Sequence, residues 1–377
     1  MKKSTVLFVL GTRPEAIKLA PVIAVFRADH TITTKVCVTG QHQDLLHQVL
    51  KERSITPDYD LQLMTPNQTL TYLTSQILIK LEKILKELKP TMLLVQGDTT
   101  TAMAAGLAGF YFGCRVGHVE AGLRTYNTRN PYPEEVNRQM LRSISNYHFA
   151  PTPLAYQNLI AEKVDAKEIA LVGNTSIDAL YEKLDQLKTS TPASLLTVLD
   201  QLDPKKKLII ATIHRKENQG HHLAKICQAL KVISEKEEVE ILMPLHPNPI
   251  LKEAIYSQLE SHNNIHMIEA VNHLTMIGLL QRAHIIITDS GGIQEEAPYL
   301  GTPTIVTRQS TERQEACTTY SAVLTGPDDL AITMEVNKLL ENKDYYKKRS
   351  EITQPYGDGT AAHKILEFIK QNILQTL

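Results

Sequence analysis

Short runs of β-branched and aliphatic residues alternate with longer helical patterns along the whole chain. This alternation is typical of doubly wound α/β domains built on parallel sheets. In the first half the predicted strands are 5–10, 34–38, 92–96, 115–120 and 147–150, with a helix such as 72–88 between neighbours. In the second half they are 208–213, 240–244, 265–268, 284–288 and 304–306. Because the pattern restarts midway, it predicts two domains of the same class.

A polar stretch at 188–207 separates the two sets of strands. It contains Thr-Ser-Thr-Pro and a lysine triplet, so a domain boundary is expected between about 170 and 205. A last helix, 360–377, follows a Pro-Tyr-Gly-Asp-Gly turn. Its pattern alone fits packing on either domain.

Length and composition support this division and narrow the function. A chain of 377 residues is too long for one ordinary core. Its 42% apolar and 21% charged residues are typical of a soluble globular protein. The net charge of −1 gives no general attraction to nucleic acid, so an anionic ligand needs a local site.

Targeting and membrane segments are not expected. The apolar run after the two N-terminal lysines is too short for a signal peptide, and no run approaches the roughly 18 apolar residues of a membrane span. Four widely spaced cysteines indicate reduced thiols. We therefore expect a cytoplasmic protein without a membrane partner.

The segment IIITDSGGIQEEAPYLGTP, residues 285–303, places glycines where a strand passes into a helix. Main-chain N–H groups at a helix start have no internal partner, and the helix dipole favours anions there. A phosphate held by Ser290, Gly291 and Gly292 is one interpretation. The other is a tight turn in which Asp289 or Ser290 only caps the helix.

Other polar motifs also follow predicted strands. They are Gly-Thr-Arg at 11–13, Gln-Gly-Asp at 96–98, Glu-Ala-Gly at 120–122 and His-Arg-Lys-Glu-Asn at 214–218. Ligands of open α/β sheets bind at the carboxyl ends of strands. Since both halves contribute motifs, a binding cleft between two similar domains is predicted.

Several charged residues of the first half have two interpretations. Arg13 and Lys18 either recognise a phosphate or substrate or are solvated at the surface. Asp98 is either functional or the cap of the following helix. Glu134, like its neighbour Glu135, lies in a first helical turn, where carboxylates are common for dipole reasons.

Glu120 ends the predicted strand 115–120, two residues after His118. A buried carboxylate there either pairs with Arg124 or Arg138, or acts as a general acid or base with a raised pKa. His214 is either structural or a phosphate ligand and proton donor.

Metal and common cofactor sites lack sequence support. His246 follows a strand, but the 14 histidines include no metal-ligand pair tied to a carboxylate, so no metal is expected. Neither GxGxxG after the first strand nor GxxxxGK[ST] occurs, which disfavours dinucleotides and the ATP phosphate loop.

The assembled motifs closely resemble those of the bacterial non-hydrolysing UDP-N-acetylglucosamine 2-epimerases. They are GTRPEAIKLAP (11–21), VQGDTT (95–100), GHVEAGLRT (117–125), PEEVNR (133–138), HFAPT (148–152), GNTSIDAL (173–180), HRKEN (214–218), LHPNP (245–249), TDSGGIQEEAPYLG (288–301), TER (311–313) and PYGDG (355–359). The resemblance spans nearly the whole chain.

The resemblance implies two Rossmann-like doubly wound domains in a GT-B arrangement. The first would comprise residues 1–171 with the C-terminal helix from about 360 to 377, and the second, UDP-binding domain residues 172–359. A homodimer is also implied. The implied reaction interconverts UDP-GlcNAc and UDP-ManNAc through loss of the C2 proton and of UDP, an enzyme-bound 2-acetamidoglucal and re-addition. It needs no redox cofactor.

Site residues follow from the matching motifs. Asp98, Glu120 and Glu134 would serve proton transfer and the sugar, and His214 the diphosphate or its departure. The remaining ligand contacts implied are Arg13, Lys18, Val271, Met276, Ser290, Gly291, Gly292, Glu296 and Arg313, with Glu296 on the ribose and 271–276 around the uracil.

The chain also departs from the family pattern. Gln314 stands where proline is usual, and Met276 where an aromatic is frequent. Some relatives bind a second, regulatory UDP-GlcNAc; Gln41 and Gln43 fit such a site, whereas Asp44 and Asn67 do not clearly supply its other partners.

A hydrolysing 2-epimerase, a GT-B glycosyltransferase and a catalytically silent UDP-sugar sensor remain the rival interpretations.

Overall fold

The computed structural model describes residues 4–40, 43–65, 68–215 and 218–374. Contacts divide the chain into two compact units. The first unit is Met1–Ala179 with Tyr356–Leu377, and the second is Leu180–Pro355. The domain limits implied by the resemblance differ from these limits by several residues and stay a prediction.

The first unit is built on a seven-stranded sheet in the order β3-β2-β1-β4-β5-β6-β7. All its strand pairs are parallel. The strands are Ser4–Leu10 (β1), Ile32–Val38 (β2), Tyr59–Asp60 (β3), Met92–Gln96 (β4), Arg115–Val119 (β5), Tyr147–Ala150 (β6) and Ile169–Leu171 (β7). The helices are Arg13–Ala28 (α1), Gln43–Glu52 (α2), Leu70–Leu88 (α3), Thr100–Phe112 (α4), Glu134–Ile144 (α5), Pro153–Ala161 (α6) and Thr175–Thr189 (α7), with a 3₁₀ turn at Ala166–Glu168.

The second unit repeats this plan with six strands in the order β10-β9-β8-β11-β12-β13, again all parallel. The strands are Lys207–Thr212 (β8), Val239–Pro244 (β9), Ile265–Ile268 (β10), Ile285–Thr288 (β11), Thr304–Val306 (β12) and Ala322–Leu324 (β13). The helices are Ala193–Leu199 (α8), His221–Ser234 (α9), Pro249–Leu259 (α10), His273–Arg282 (α11), Gly291–Leu300 (α12), Gln314–Thr318 (α13), Asp329–Glu341 (α14) and Lys343–Arg349 (α15). The predicted doubly wound α/β class is confirmed.

The last helix, Ala361–Ile369 (α16), belongs to the first unit and continues as a π-helical turn, Lys370–Leu374. Asp178 accepts hydrogen bonds from the main-chain N–H groups of Ala361 (3.2 Å) and Ala362 (2.9 Å), which satisfies two amides at the helix start. Phe368 packs edge-on against Phe149 with ring centroids 5.7 Å apart. Residues 375–377 of the predicted helix lie outside the described residues.

Side chains of β1 alternate between the two faces of the first sheet. Phe8 and Leu10 pack with α1 and α16, whereas Leu7 and Val9 pack with α3 and α4. Both faces of this strand are therefore buried, which explains its unbroken apolar sequence. Within the described part of the chain, no helix combines the length and apolar character needed to cross a membrane.

Candidate active site

Polar residues gather where the strand order of each sheet reverses. In the first unit the reversal lies between β1 and β4, and in the second between β8 and β11. The carboxyl ends of such strand pairs form the usual ligand crevice of open α/β sheets. Arg13 and Asp98 follow β1 and β4, while His214 and Ser290 follow β8 and β11.

Glu120 lies one residue beyond β5, and its carboxylate is buried. Its φ of +67° places it in the left-handed region, so the strand ends at Val119, one residue earlier than predicted. Lys18 Nζ lies 2.5 Å from Glu120 Oε2, and Gln96 Nε2 donates to the same oxygen at 2.7 Å. A lysine ion pair and an amide hydrogen bond thus hold this carboxylate.

Arg124 and Arg138, the partners that the sequence suggested for Glu120, bind other carboxylates. Arg124 binds Glu162 through Nε at 2.7 Å and Nη2 at 2.8 Å. Arg138 binds Asp98 and Glu135. The buried Lys18 of α1 is the cation that pairs with Glu120, a partner that the sequence did not predict.

Asp98 follows β4 and accepts a hydrogen bond from Arg138 Nη1 at 2.6 Å. Its main-chain carbonyl accepts from Asn137 Nδ2 at 2.8 Å, so both contacts come from α5. Thr99 caps α4, since its hydroxyl oxygen accepts from the N–H of Ala102 at 3.0 Å. The capping interpretation of Asp98 is wrong for this reason.

The neighbouring acids of α5 differ in environment. Glu135 is fully buried and accepts from the N–H groups of Thr125 (3.0 Å) and Tyr126 (3.1 Å) as well as from Arg138. Glu134, the first residue of α5, is half-buried. Glu135 thus fixes the loop before α5, and Glu134 is the acid with exposed surface.

Lys18 lies in α1, whose start is organised by Glu15. The Glu15 carboxylate accepts from the N–H groups of Gly11 (3.0 Å) and Thr12 (2.8 Å) and from the Thr99 hydroxyl (2.8 Å). Burial raises the pKa of Glu15 to about 7, despite these hydrogen bonds. Arg13 begins α1 and is half-buried. Glu15 therefore connects the turn after β1 with Thr99, the residue that follows Asp98.

The side chain of His118 binds the turn that follows β4. Its Nε2 lies 2.7 Å from the carbonyl oxygen of Gly97, and a carbonyl can only accept, so Nε2 carries the proton. Burial lowers the pKa of His118 to about 4, and the ring is neutral near pH 7. It acts on the Gly97–Asp98 turn by a hydrogen bond.

In the second unit Ser290 is the N-cap of α12. Its hydroxyl oxygen accepts from the N–H of Ile293 at 3.5 Å, and its own N–H donates to the Thr288 hydroxyl at 2.9 Å. Gly291 and Gly292 form the first turn, where main-chain N–H groups point out of the helix. The capping interpretation is confirmed, and it is compatible with an anion at the same helix end.

Arg313 lies directly against Gly291. A Cβ atom on Gly291 would stand 2.7 Å from Arg313 Cζ, so any larger residue would displace the guanidinium. Arg313 Nε donates to Glu295 Oε1 at 2.7 Å, and its Nη1 binds Glu312. Glu312 also accepts from the buried Arg308 at 3.0 Å. Two glutamates hold the Arg313 guanidinium at the start of α12.

Glu296 is buried and accepts from His273 Nε2 at 2.8 Å. Val271 follows β10, and Met276 lies in the first turn of α11; both are half-buried. Gln41 and Asn67 lie outside the described residues. Among the residues the structure describes, no group of three or more His, Cys, Asp or Glu is arranged to hold a metal ion.

His214 follows β8 at the same sheet edge. Its Nδ1 lies 3.0 Å from Asp289 Oδ1, and its ring stacks on that of His246 with centroids 6.0 Å apart. Sequence reasoning missed the roles of Asp289 and Glu15. Asp289 was interpreted only as a possible helix cap and Glu15 was given no role, although a carboxylate directly after a buried strand, or within a Thr-x-x-Glu capping pattern, was the available signal.

Known proteins share the sequence and the fold of this chain. A family model described as UDP-N-acetylglucosamine 2-epimerase matches residues 24–370. The chain is 45% identical over 370 residues to the UDP-N-acetylglucosamine 2-epimerase of Escherichia coli strain K12, covering 97% of this chain and 98% of that protein. The crystal structure of UDP-GlcNAc 2-epimerase from Neisseria meningitidis bound to UDP-GlcNAc is 43% identical with a TM-score of 0.95, covering 98% of this chain and 100% of that chain.

A more distant structure extends the likeness. UDP-GlcNAc 2-epimerase from Methanocaldococcus jannaschii, in complex with UDP-GlcNAc and UDP, is 32% identical with a TM-score of 0.88, covering 98% of this chain and 100% of that chain. Sequence and fold agree over nearly the full length of each of these proteins. The chain belongs to the UDP-N-acetylglucosamine 2-epimerase family.

Proposed function

We propose that this protein catalyses the reversible epimerisation at C2 of UDP-GlcNAc to UDP-ManNAc without net hydrolysis. The observation that carries the proposal is the buried Glu120 carboxylate, which Lys18 and Gln96 hold directly after β5. This strand pairs with β4, which Asp98 follows. Family membership supplies the substrate class, because the relatives with solved complexes bind UDP-GlcNAc or UDP.

The first half of the reaction is an anti elimination. A carboxylate removes the C2 proton, the C2–H electron pair forms the C1–C2 double bond, and the C1–O bond breaks with its electrons leaving on UDP. UDP then adds back to the 2-acetamidoglucal while a proton returns to C2 on the opposite face. Proton removal and return on two faces require at least two acid–base groups. Asp98, Glu120 and Glu134 are the candidates.

Lys18 and Arg138 each form an ion pair with one of these acids. The Lys18–Glu120 and Arg138–Asp98 pairs fix the positions of two candidate carboxylates. Glu134, at the start of α5 and half-buried, would complete the set.

The second unit would hold the leaving group. The N–H groups of Ser290, Gly291 and Gly292 and the guanidinium of Arg313 suit the diphosphate, whose charge rises as the C1–O bond breaks. His214 would contact the same diphosphate. Glu296 would accept from the ribose hydroxyls, Val271 and Met276 would line the uracil, and Arg13 would add a cation from the first unit.

Assembly and biological role follow from the same proposal. The protein would act as a homodimer, and its product would supply ManNAc for a bacterial surface polysaccharide. No redox cofactor enters the reaction, because the proton and the leaving group return to the same sugar.

The direct test is to incubate the purified protein with UDP-GlcNAc alone and to separate the products by chromatography. We expect UDP-ManNAc in equilibrium with UDP-GlcNAc. Free ManNAc with stoichiometric UDP would instead identify a hydrolysing enzyme. Binding of UDP-GlcNAc without any product would identify a sensor.

A further inference from the structure

A carboxylate that the proposed reaction does not use holds the histidine that it does use. Asp289 lies between β11 and α12 and is fully buried. It comes close to His214 because β8 and β11 are neighbours, with Thr212 paired to Thr288 in the register. The two residues lie just past this pair, at the same edge of the second sheet.

Four donors converge on the Asp289 carboxylate. The N–H of His214 lies 3.1 Å from each oxygen, the N–H of Arg215 lies 2.9 Å from Oδ2, and Asn218 Nδ2 lies 3.0 Å from Oδ2. The fourth donor is His214 Nδ1, 3.0 Å from Oδ1. Asp289 therefore fixes both the backbone turn that carries His214 and the ring itself.

Asp289 stays ionised despite its burial. Burial alone raises its pKa, but the hydrogen bonds and charge of His214, with the amide of Arg215 and the side chain of Asn218, lower the pKa below its ordinary value. An ionised carboxylate only accepts hydrogen bonds. His214 Nδ1 must then carry a proton.

The ring of His214 has a defined orientation as a result. One nitrogen is engaged by Asp289, and the ring lies nearly parallel to that of His246, with 13° between their planes. About a third of the side chain is exposed. The nitrogen turned away from Asp289 is Nε2.

We propose that Asp289 is the positioning residue of His214, which keeps the proton on Nδ1 and orients Nε2 toward the departing diphosphate. The inference rests on the proposed function for the identity of that diphosphate. Asp289 also precedes Ser290 directly, so one short segment orients both the histidine and the helix start that would bind the anion.

The first test needs no substrate. In protein with ¹⁵N-labelled histidine, the ring nitrogens of His214 are assigned by the signals missing from His214→Gln. We expect the neutral ring to carry its proton on Nδ1. A neutral ring protonated on Nε2 would overturn the proposal, whatever the protein does to UDP-GlcNAc.

The second test is Asp289→Asn, which keeps the size of the side chain but presents an amide. Its NH₂ group donates to Nδ1, so the neutral ring should move its proton to Nε2. We expect kcat to fall by about 100-fold or more, as reversed tautomers do in an Asp–His dyad, with a smaller change in KM. A kcat within about threefold of the parent enzyme would contradict the proposal, because reversal of the dyad should cost far more.

Asp178→Asn is the matched control. Asp178 is another buried aspartate that accepts two main-chain N–H groups, but it caps α16 in the first unit. It should lower stability while leaving kcat per folded molecule and the His214 tautomer unchanged.

If the Asp289 variant fails to fold, the parent spectrum alone decides. A parent enzyme without turnover would refute the proposed function and leave the tautomer measurement valid.

Discussion

Replacing Glu15 by glutamine should remove a specific pH dependence of stability from the first unit. Glu15 is almost completely buried, and its carboxylate is surrounded by the amides of Gly11 and Thr12 and the hydroxyl of Thr99. Its pKa rises from 4.5 to about 7 because burial disfavours the ionised form. A change of that size corresponds to about 3 kcal/mol of free energy.

The sign follows from proton binding. Below pH 4.5 the carboxyl group is protonated in both folded and unfolded chains, and the contribution is fully present. Between pH 4.5 and 7 the unfolded chain releases the proton while the folded chain keeps it, so stability falls as pH rises. Above about pH 7 the whole contribution is lost. Glutamine does not titrate, so the variant lacks this fall.

We therefore expect the free energy of unfolding of Glu15→Gln, relative to the parent, to rise by about 3 kcal/mol between pH 4.5 and pH 8. Urea unfolding is monitored by hydrogen-exchange mass spectrometry, and peptides from α1 report the stability of the first unit. Comparing variant and parent at the same pH cancels the pH dependence of the intrinsic exchange rate. Glu87→Gln makes the same chemical change on the exposed face of α3 and serves as the control. A pH-independent difference, or one of opposite sign, would show that Glu15 is ionised in the folded protein.

Two further predictions concern the proposed site. Glu120→Gln should lower kcat by about 100-fold or more while UDP still binds, because the acid–base group is lost but the UDP-binding unit is unchanged. Turnover assays and isothermal titration with UDP check both parts. Unchanged turnover would remove Glu120 from the reaction. Gly291→Ala should lower Tm by about 2–4 °C, because its Cβ would displace Arg313. Gly292→Ala is the control, because a Cβ at that position has Ser290 Oγ, at 4.0 Å, as its nearest neighbour. Equal Tm values for Gly291→Ala and Gly292→Ala would contradict the close packing.

Most strands could be predicted because each carries several β-branched or aliphatic residues. The strands at Met92–Gln96, Tyr147–Ala150, Ile265–Ile268 and Thr304–Val306 have the predicted bounds. The edge strands Tyr59–Asp60, Ile169–Leu171 and Ala322–Leu324 were missed. Two or three residues are too few to show a period, and their pairing depends on the neighbouring strand.

The candidate site was predictable at the level of motifs but not of contacts. Glu15 meets Thr99 across 84 residues, and Asp289 meets the N–H of His214 across 75. No local pattern encodes such pairings, so Asp289 was interpreted only as a helix cap and Glu15 was given no role. For Asp98 the possible capping role was wrong, because its neighbour Thr99 caps α4.

The most direct test of the central claim follows the C2 hydrogen during turnover. The protein is incubated with UDP-GlcNAc in D₂O, and the sugar protons are observed by NMR. The proposed elimination and re-addition predict that deuterium enters C2 as UDP-ManNAc forms, with no build-up of free sugar. Conversion to UDP-ManNAc with the original C2 proton retained would contradict proton transfer by the carboxylates of the first unit.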